Sequence, residues 1–94
     1  MSITIWKTPL SLVTVQEVLV PIGSKFLSAH EQHGELVVWY LCDTEAEMET
    51  RELIIIGTGI DGPDDIHQYS YIGTGILQNG RTVLHVFEKK MERQ

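Results

Sequence analysis

The residues of this chain that offer chemistry are concentrated in a phrase that occurs twice. Ile-Gly-Thr-Gly-Ile spans residues 56–60 and returns at residues 72–76. Glycine exposes backbone N–H groups that no side chain shields, and threonine adds a hydroxyl. Such N–H groups can form a concave site for an anion. The alternative is that both glycine pairs only mark bulges or bends in neighbouring strands.

A ligand at these phrases also needs side chains that recognise the rest of it. Tyr69 and Tyr71 share one face of a predicted strand just before the second phrase, where planar rings beside N–H donors suit a base and a phosphate. Cross-strand packing explains the same tyrosines without a ligand. Arg51 and Arg81 are candidate counter-charges, because a guanidinium binds phosphate through two N–H groups. The candidate ligand-binding residues are Thr58, Gly59, Tyr69, Tyr71, Thr74, Gly75 and Arg81.

Motifs for other kinds of site are incomplete. Residues 57–62 have the spacing GxGxxG, but Pro63 and two aspartates follow instead of the helix that a dinucleotide-binding fold requires. His30 and His33 are three positions apart in a predicted strand and therefore point to opposite faces, which opposes a shared metal ion. We expect no catalytic residue, no metal site and no cofactor.

His85 and Cys42 are interpreted as structural residues. His85 shares a strand face with Val83 and Phe87, which predicts a hydrogen-bonded histidine in the core. Cys42 is the only cysteine and follows Leu41 in an apolar run. A single thiol forms no intramolecular disulfide and is typical of a reducing compartment, so we expect a cytoplasmic protein.

Composition limits the class of protein. A length of 94 residues and an apolar fraction of 43% fit a single globular domain, residues 1–94. The formal charge of −6 opposes binding to bulk DNA or RNA, which relies on neutralising phosphates. No secretion signal is expected at the N-terminus, and no apolar run approaches the length of a membrane span.

The order of short apolar runs and turn signals predicts an all-β fold, a small antiparallel sandwich or barrel of about six to seven strands. His33-Gly34 and Asn79-Gly80 predict hairpin turns. The acidic segment 43–52 predicts a solvated loop in preference to a helical turn, because no apolar stripe repeats at helical spacing. The charged tail from about residue 89 is expected to fray or to extend as a short helix. The predicted strands are residues 3–7, 13–20, 25–32, 35–42, 51–57, 68–77 and 81–88.

Apolar residues on both faces of two of these strands, 36–41 and 53–56, exceed what a single small sheet covers. A closed symmetric partner would cover them. We therefore expect a homo-oligomer.

The same residues carry a family resemblance that covers nearly the whole chain. Its elements are Ile5-Trp6-Lys7 with Leu10, Pro21-Ile22-Gly23 with Leu27, Trp39, Ile56-Gly57-Thr58-Gly59, Tyr71-Ile72-Gly73-Thr74 and His85-Val86-Phe87-Glu88. Together they resemble a family of small proteins encoded by phages and prophages. Small phage proteins of this size often act on host defences, and some are β-rich oligomers that sequester cyclic nucleotide or ADP-ribose signals without cleaving them.

Two functions follow as hypotheses. The first is a non-enzymatic phage accessory protein that assembles with itself and binds a small nucleotide-like immune signal, acting as a counter-defence sponge in the host cytoplasm. The second is a protein-interaction or inhibitor module that acts on a host protein, with the acidic segment 43–52 presented to a basic surface. An enzyme is the third and least favoured class.

Overall fold

The computed structural model describes residues 1–91 and has two antiparallel sheets stacked face to face. One sheet has three strands in the order β1-β4-β3, and the other has four in the order β2-β5-β7-β6. This architecture confirms the predicted all-β sandwich. The strands are β1 (Ile3–Pro9), β2 (Val15–Pro21), β3 (Lys25–Gln32), β4 (Glu35–Asp43), β5 (Met48–Gly57), β6 (Tyr69–Leu77) and β7 (Thr82–Lys89).

Two hairpins confirm the predicted turn signals. His33 and Gly34 both have positive φ, 53° and 82°, and connect β3 to β4. Asn79 and Gly80, with φ of 56° and 92°, lie in the connection from β6 to β7. Asparagine and glycine tolerate this left-handed region better than other residues, and tight hairpins require it.

The core lies between the inner faces of the two sheets. Alternate residues of β4 and β5 point inward, as the period of a strand requires. Val20, Val38, Leu53 and Val86 are fully buried there. Tyr40 is also buried, and its hydroxyl is hydrogen-bonded to Thr8 Oγ1 at 2.9 Å, whereas Trp39 points to the opposite face.

The glycines of β6 let the two sheets approach closely. A Cβ at Gly73 would overlap the backbone carbonyl and nitrogen of Ala29 in β3, and a Cβ at Gly75 would overlap the Leu36 side chain. Between Tyr71 and Gly73 the pairing of β6 with β7 shifts register. The second Gly-Thr-Gly phrase is therefore part of a strand, with glycine where another backbone passes.

Arg51 is a buried member of an ion-pair cluster between the sheets. Its Nε donates to Glu88 Oε2 at 2.7 Å, its Nη1 donates to the Ser24 carbonyl at 2.9 Å, and the guanidinium lies 5.1 Å from the ring centroid of Phe26. Glu49 also pairs with it at 3.2 Å. The suggestion that Arg51 is a counter-charge for an external phosphate is wrong, because its charge is already compensated inside.

Three sequence predictions differ from the structure in their boundaries. The acidic segment 43–52 is a loop only near its start, because Met48–Gly57 forms β5 and pairs with β2. The second strand begins at Val15 rather than at residue 13. At the C-terminus, Lys89 pairs with Tyr69 and the Lys90 N–H donates to the Gln68 carbonyl at 2.8 Å. The last part of the predicted tail, residues 92–94, lies outside the described residues.

Candidate functional site

The two threonines of the repeated phrase meet on one histidine. Thr58 Oγ1 is 2.7 Å from His85 Nε2, and Thr74 Oγ1 is 3.0 Å from His85 Nδ1. The hydroxyl of Tyr71 lies 2.5 Å from Thr74 Oγ1. We call these four side chains, Thr58, His85, Thr74 and Tyr71, the hydroxyl–histidine network.

Three neighbouring strands of the four-stranded sheet position this network. His85 is in β7, which lies between β5 and β6. Thr74 is directly opposite His85 in β6, and Thr58 follows the end of β5. All four side chains are on the outer face of the sheet, the face opposite the core, and Tyr71 and Thr58 are exposed to solvent. Tyr71 also packs edge-on against Phe87, with centroids 5.5 Å apart.

The network always presents a free hydroxyl hydrogen at one end. A neutral imidazole has one donor and one acceptor nitrogen. If Nε2 carries the proton, it donates to Thr58, whose own hydrogen then points to solvent. If Nδ1 carries it, the chain of donation runs through Thr74 to Tyr71, whose hydrogen is then free.

An apolar cleft of about 530 Å³ adjoins the network. Ile56 connects the two, because it lines the cleft and is the cross-strand neighbour of His85. The cleft's other apolar walls come from the segment before β2 and from the loop after β5. Its volume is within the range of small-molecule sites. The lining side chains include Leu12, Val13, Val15, Ile54, Ile60 and Pro63.

The polar groups of the cleft are acidic or neutral. Asp61 lines it, and Tyr69 at its margin donates its hydroxyl to Glu52 Oε2 at 2.7 Å. This hydrogen bond to a carboxylate raises the pKa of Tyr69 to about 12. The cleft therefore favours an uncharged ring over a phosphate.

Four of the seven predicted site residues lie in the network or the adjoining cleft, and three lie elsewhere. Thr58, Tyr71 and Thr74 belong to the network, and Tyr69 lines the cleft. Gly59 lies in the exposed turn after β5, with φ of 82°. Gly75 is buried against Leu36 on the inner face, and Arg81 is exposed just before β7.

Two interpretations of the sequence are corrected by this geometry. The first is the anion site built from backbone N–H groups, because the Thr58 N–H already donates to the Val83 carbonyl at 3.2 Å. The strand positions of the two phrases agree with the prediction, since the first phrase starts at the end of β5 and the second is inside β6. His85 is hydrogen-bonded as expected, but it is half-buried on the outer face, whereas its neighbour Val86 fills the core.

Comparison with known families gives one match. A family model described as Domain of unknown function (DUF7352) matches residues 1–94. The chain belongs to the DUF7352 family. No curated protein and no solved structure shows significant similarity to this DUF7352 chain.

Sequence reasoning on this DUF7352 chain missed the central role of His85 and the cleft. One signal was present for the histidine. The hairpin at Asn79-Gly80 fixes the register of β6 against β7, and that register carries Thr74 to a position opposite His85. No sequence pattern predicts the cleft, because the two segments that border it, the one before β2 and the loop after β5, are far apart in the sequence.

Residues 1–91 contain no cluster of three or more histidine, cysteine, aspartate or glutamate side chains arranged to hold a metal ion. Within the same residues, no helix has the length and hydropathy needed to span a membrane.

Proposed function

We propose that this DUF7352 protein is a non-enzymatic binding protein for a small nucleotide-like signal. The observation that carries the proposal is the convergence of Thr58 and Thr74 on His85 beside an apolar cleft. Hydroxyl groups fixed by an imidazole offer directed donors, and the cleft offers a dry wall for a ring. Small-ligand sites commonly combine these two features.

The ligand's orientation follows from the charges. The ring system enters the cleft, where Asp61 opposes an anion. The ester or phosphate oxygens then lie over Thr58 and Tyr71, the two exposed ends of the network. Recognition is assigned to hydroxyl groups and His85 rather than to the backbone nest that the glycines suggested, because the Thr58 N–H is already bonded.

The partners of His85 favour binding over catalysis. A threonine hydroxyl on Nε2 resembles the nucleophile–base pair of hydrolases. In those enzymes a third group, usually a carboxylate, orients the base and stabilises the imidazolium. Here the group on Nδ1 is the neutral hydroxyl of Thr74. We therefore propose sequestration of the signal without turnover.

The resemblance to small phage and prophage proteins supports a biological setting for this activity. In that setting the protein is a phage accessory factor in the host cytoplasm, and its ligand is an immune signal of the cyclic nucleotide or ADP-ribose type. Sequestering such a signal lowers its free concentration in proportion to the amount of protein. This role needs tight binding and no catalytic residue.

A thermal-shift panel followed by calorimetry tests the proposal. Cyclic mononucleotides, cyclic dinucleotides and ADP-ribose are added to the purified protein, and a ligand of the native state raises its melting temperature. For the best ligand, Thr58→Val and Thr74→Val should each weaken binding by about 2- to 12-fold, which corresponds to one lost hydrogen bond of about 0.5–1.5 kcal/mol.

Thr50→Val is the matched control, because Thr50 is an exposed strand threonine remote from the network. It should bind like the parent. The proposal is wrong if no compound stabilises the protein, or if the network variants bind as tightly as Thr50→Val.

A second candidate function is a protein-interaction module, and a separate observation favours it. Tyr71, a member of the network, and Ile76, two residues after Thr74, are 59% and 57% exposed on the outer face of the four-stranded sheet. Exposed aromatic and aliphatic groups around a polar centre are typical of a binding hot spot. If no nucleotide in the thermal-shift panel stabilises the protein, this second function predicts that Tyr71→Ala abolishes the protein's biological effect. The melting temperature of Tyr71→Ala should remain within a few degrees of the parent.

A further inference from the structure

The outer edge of β1 is open. β1 ends the three-stranded sheet and pairs with β4. The Ser2 carbonyl accepts from the Thr44 N–H at 2.9 Å, and the Leu10 N–H donates to the Leu36 carbonyl at 2.8 Å. Because hydrogen-bonding direction alternates along an antiparallel strand, the residues two, four and six positions after Ser2 also bond to β4. Ile3, Ile5 and Lys7 therefore turn their N–H and C=O groups toward the open edge.

This edge has little of the usual protection, because its one proline, Pro9, is the last residue of the strand. Natural edge strands carry outward charges, prolines or bulges that prevent pairing with another chain. The pairing of β1 with β4 is unbroken from Ile3 to Pro9, so β1 has no bulge. Its single charged side chain, Lys7, reaches across the sheet and donates to Gln32 Oε1 on β3 at 2.5 Å. The ammonium is thereby drawn away from the edge.

The other edge strands differ from β1. β3 has a register shift between Phe26 and Ser28, and β6 has one between Tyr71 and Gly73. These two strands also pack against each other where Gly73 meets Ala29. β2 carries Glu17 in its middle. β1 and β2 are the two edge strands whose pairing is unbroken over seven residues, and of these two only β1 has no acidic residue.

We propose that β1 pairs antiparallel with β1 of a second copy of this chain, with Ile5 opposite Ile5 across a two-fold axis. In this register Ile3 of each copy faces Lys7 of the other, and all three outward N–H groups find a carbonyl, giving about six main-chain hydrogen bonds. A shift of two residues toward the C-terminus would place Pro9, which has no N–H, opposite Ile3. The two three-stranded sheets become one six-stranded sheet.

Charge and side-chain chemistry fit this partner. The chain carries a formal charge of −6, so two copies repel over most of their surfaces. Residues 3–9 contain no acidic residue, and the register keeps the two Lys7 side chains apart. Ile3, Ile5 and Leu41 are 53%, 53% and 38% exposed on the outer face, and pairing joins the two apolar patches. A self-complementary patch is the requirement of a two-fold interface.

Sedimentation equilibrium of the full chain at micromolar concentration tests the pairing. The parent should be a dimer. Ile5→Pro removes the central outward N–H but leaves the β1–β4 ladder intact, since proline is tolerated at an edge whose N–H faces outward. It should weaken the dimer at least tenfold with an unchanged circular dichroism spectrum. Ile5→Lys, which places two ammonium groups on the axis, gives the same test if Ile5→Pro does not fold.

Leu19→Lys is the matched control, because Leu19 is similarly exposed on β2. It should remain dimeric. Hydrogen exchange should show the Ile3, Ile5 and Lys7 amides protected in the parent and fast in Ile5→Lys. A monomeric parent, a dimer that survives both Ile5 variants, or unprotected amides at those positions would overturn the proposal. The network lies in the four-stranded sheet, whereas β1 lies in the three-stranded sheet. Ligand binding by Ile5→Lys is therefore a separate measurement, and its result neither supports nor opposes the proposed dimer.

Discussion

At the scale of single residues, the proposed site consists of side chains that are already hydrogen-bonded to one another. His85 uses both ring nitrogens, and Thr74 joins His85 to Tyr71. Each hydroxyl retains spare hydrogen-bonding capacity, because an oxygen with one hydrogen and two lone pairs supports up to three bonds. In the proposed function, a ligand meets side chains that are already oriented, so ordering them on binding costs little free energy.

Tyr69 and Glu52 give a prediction that needs no ligand. Tyr69 donates to the Glu52 carboxylate, which raises the pKa of Tyr69 to about 12. Glu52→Gln replaces the carboxylate with a neutral acceptor, so the pKa of Tyr69 should fall toward the ordinary value of a phenol, about 10. Spectrophotometric titration of the tyrosines checks this. If the last tyrosine to lose its proton has the same pKa in Glu52→Gln as in the parent, the hydrogen bond between Tyr69 and Glu52 is contradicted.

Asp43 gives a prediction about acid stability. Its Oδ1 accepts hydrogen bonds from the Ser2 N–H and the Glu45 N–H, both at 3.0 Å, and these bonds lower the pKa of its carboxyl. A lowered pKa in the folded state means that the stabilisation is present above the unfolded-state pKa and is lost as pH falls through the folded-state pKa. Asp43→Asn should therefore cost stability at pH 6 and much less at pH 2.5. Urea unfolding at both pH values measures it, and an equal cost at both would refute the assignment.

At the scale of elements, the strands were predictable and their closest contacts were not. Alternating apolar residues and the signals at His33-Gly34 and Asn79-Gly80 predict strands and hairpins directly. β5 begins early because β2 supplies a partner for Met48–Glu52, and long-range pairing of that kind is invisible in a local charge pattern. The glycines of β6 likewise look like ligand-binding residues until the passage of β3 over Gly73 is seen.

Alanine substitutions at three glycines distinguish a glycine needed for close packing from one needed for a positive φ. Gly73→Ala should be the most damaging, because its Cβ would overlap the rigid backbone of Ala29, and a cost of about 1–3 kcal/mol or more is expected. Gly75→Ala should cost less, since the Leu36 side chain can move. Gly59→Ala meets no neighbouring atom but has φ of 82°, so it should cost about 1–2 kcal/mol from backbone strain. Chemical denaturation gives the order, and a neutral Gly73→Ala would refute the close approach.

At the scale of the whole molecule, the Arg51 cluster connects the two sheets. Arg51 pairs with Glu88 of β7, and its guanidinium lies over Phe26 of β3. Burial raises the pKa of the Glu88 carboxyl, and Arg51 partly offsets that effect. No sequence pattern identifies this pairing, because the two residues are 37 positions apart and charges usually predict an exposed face.

Arg51→Ala should destabilise the protein by about 3–5 kcal/mol, because it leaves the Glu88 charge buried without a partner. The pKa of Glu88 should then rise further, so the variant should regain stability as pH falls and Glu88 becomes protonated. Glu88→Gln in the Arg51→Ala background is the control and should remove that pH dependence. Denaturant unfolding from pH 7 to pH 4 gives the result, and a loss below about 1 kcal/mol would show that the pair is not essential to the sandwich.

The proposed function requires that the hydroxyl–histidine network and the cleft beside it form a ligand site. The most direct test is a titration of isotope-labelled protein with the nucleotide that gives the largest thermal shift, followed by nuclear magnetic resonance. We expect saturable shifts of the Thr58, Thr74, Tyr71 and His85 signals and of the Ile56 methyl groups, with the Thr50 signals unchanged. Saturable shifts confined to other surfaces, or none with any nucleotide in the panel, would contradict it.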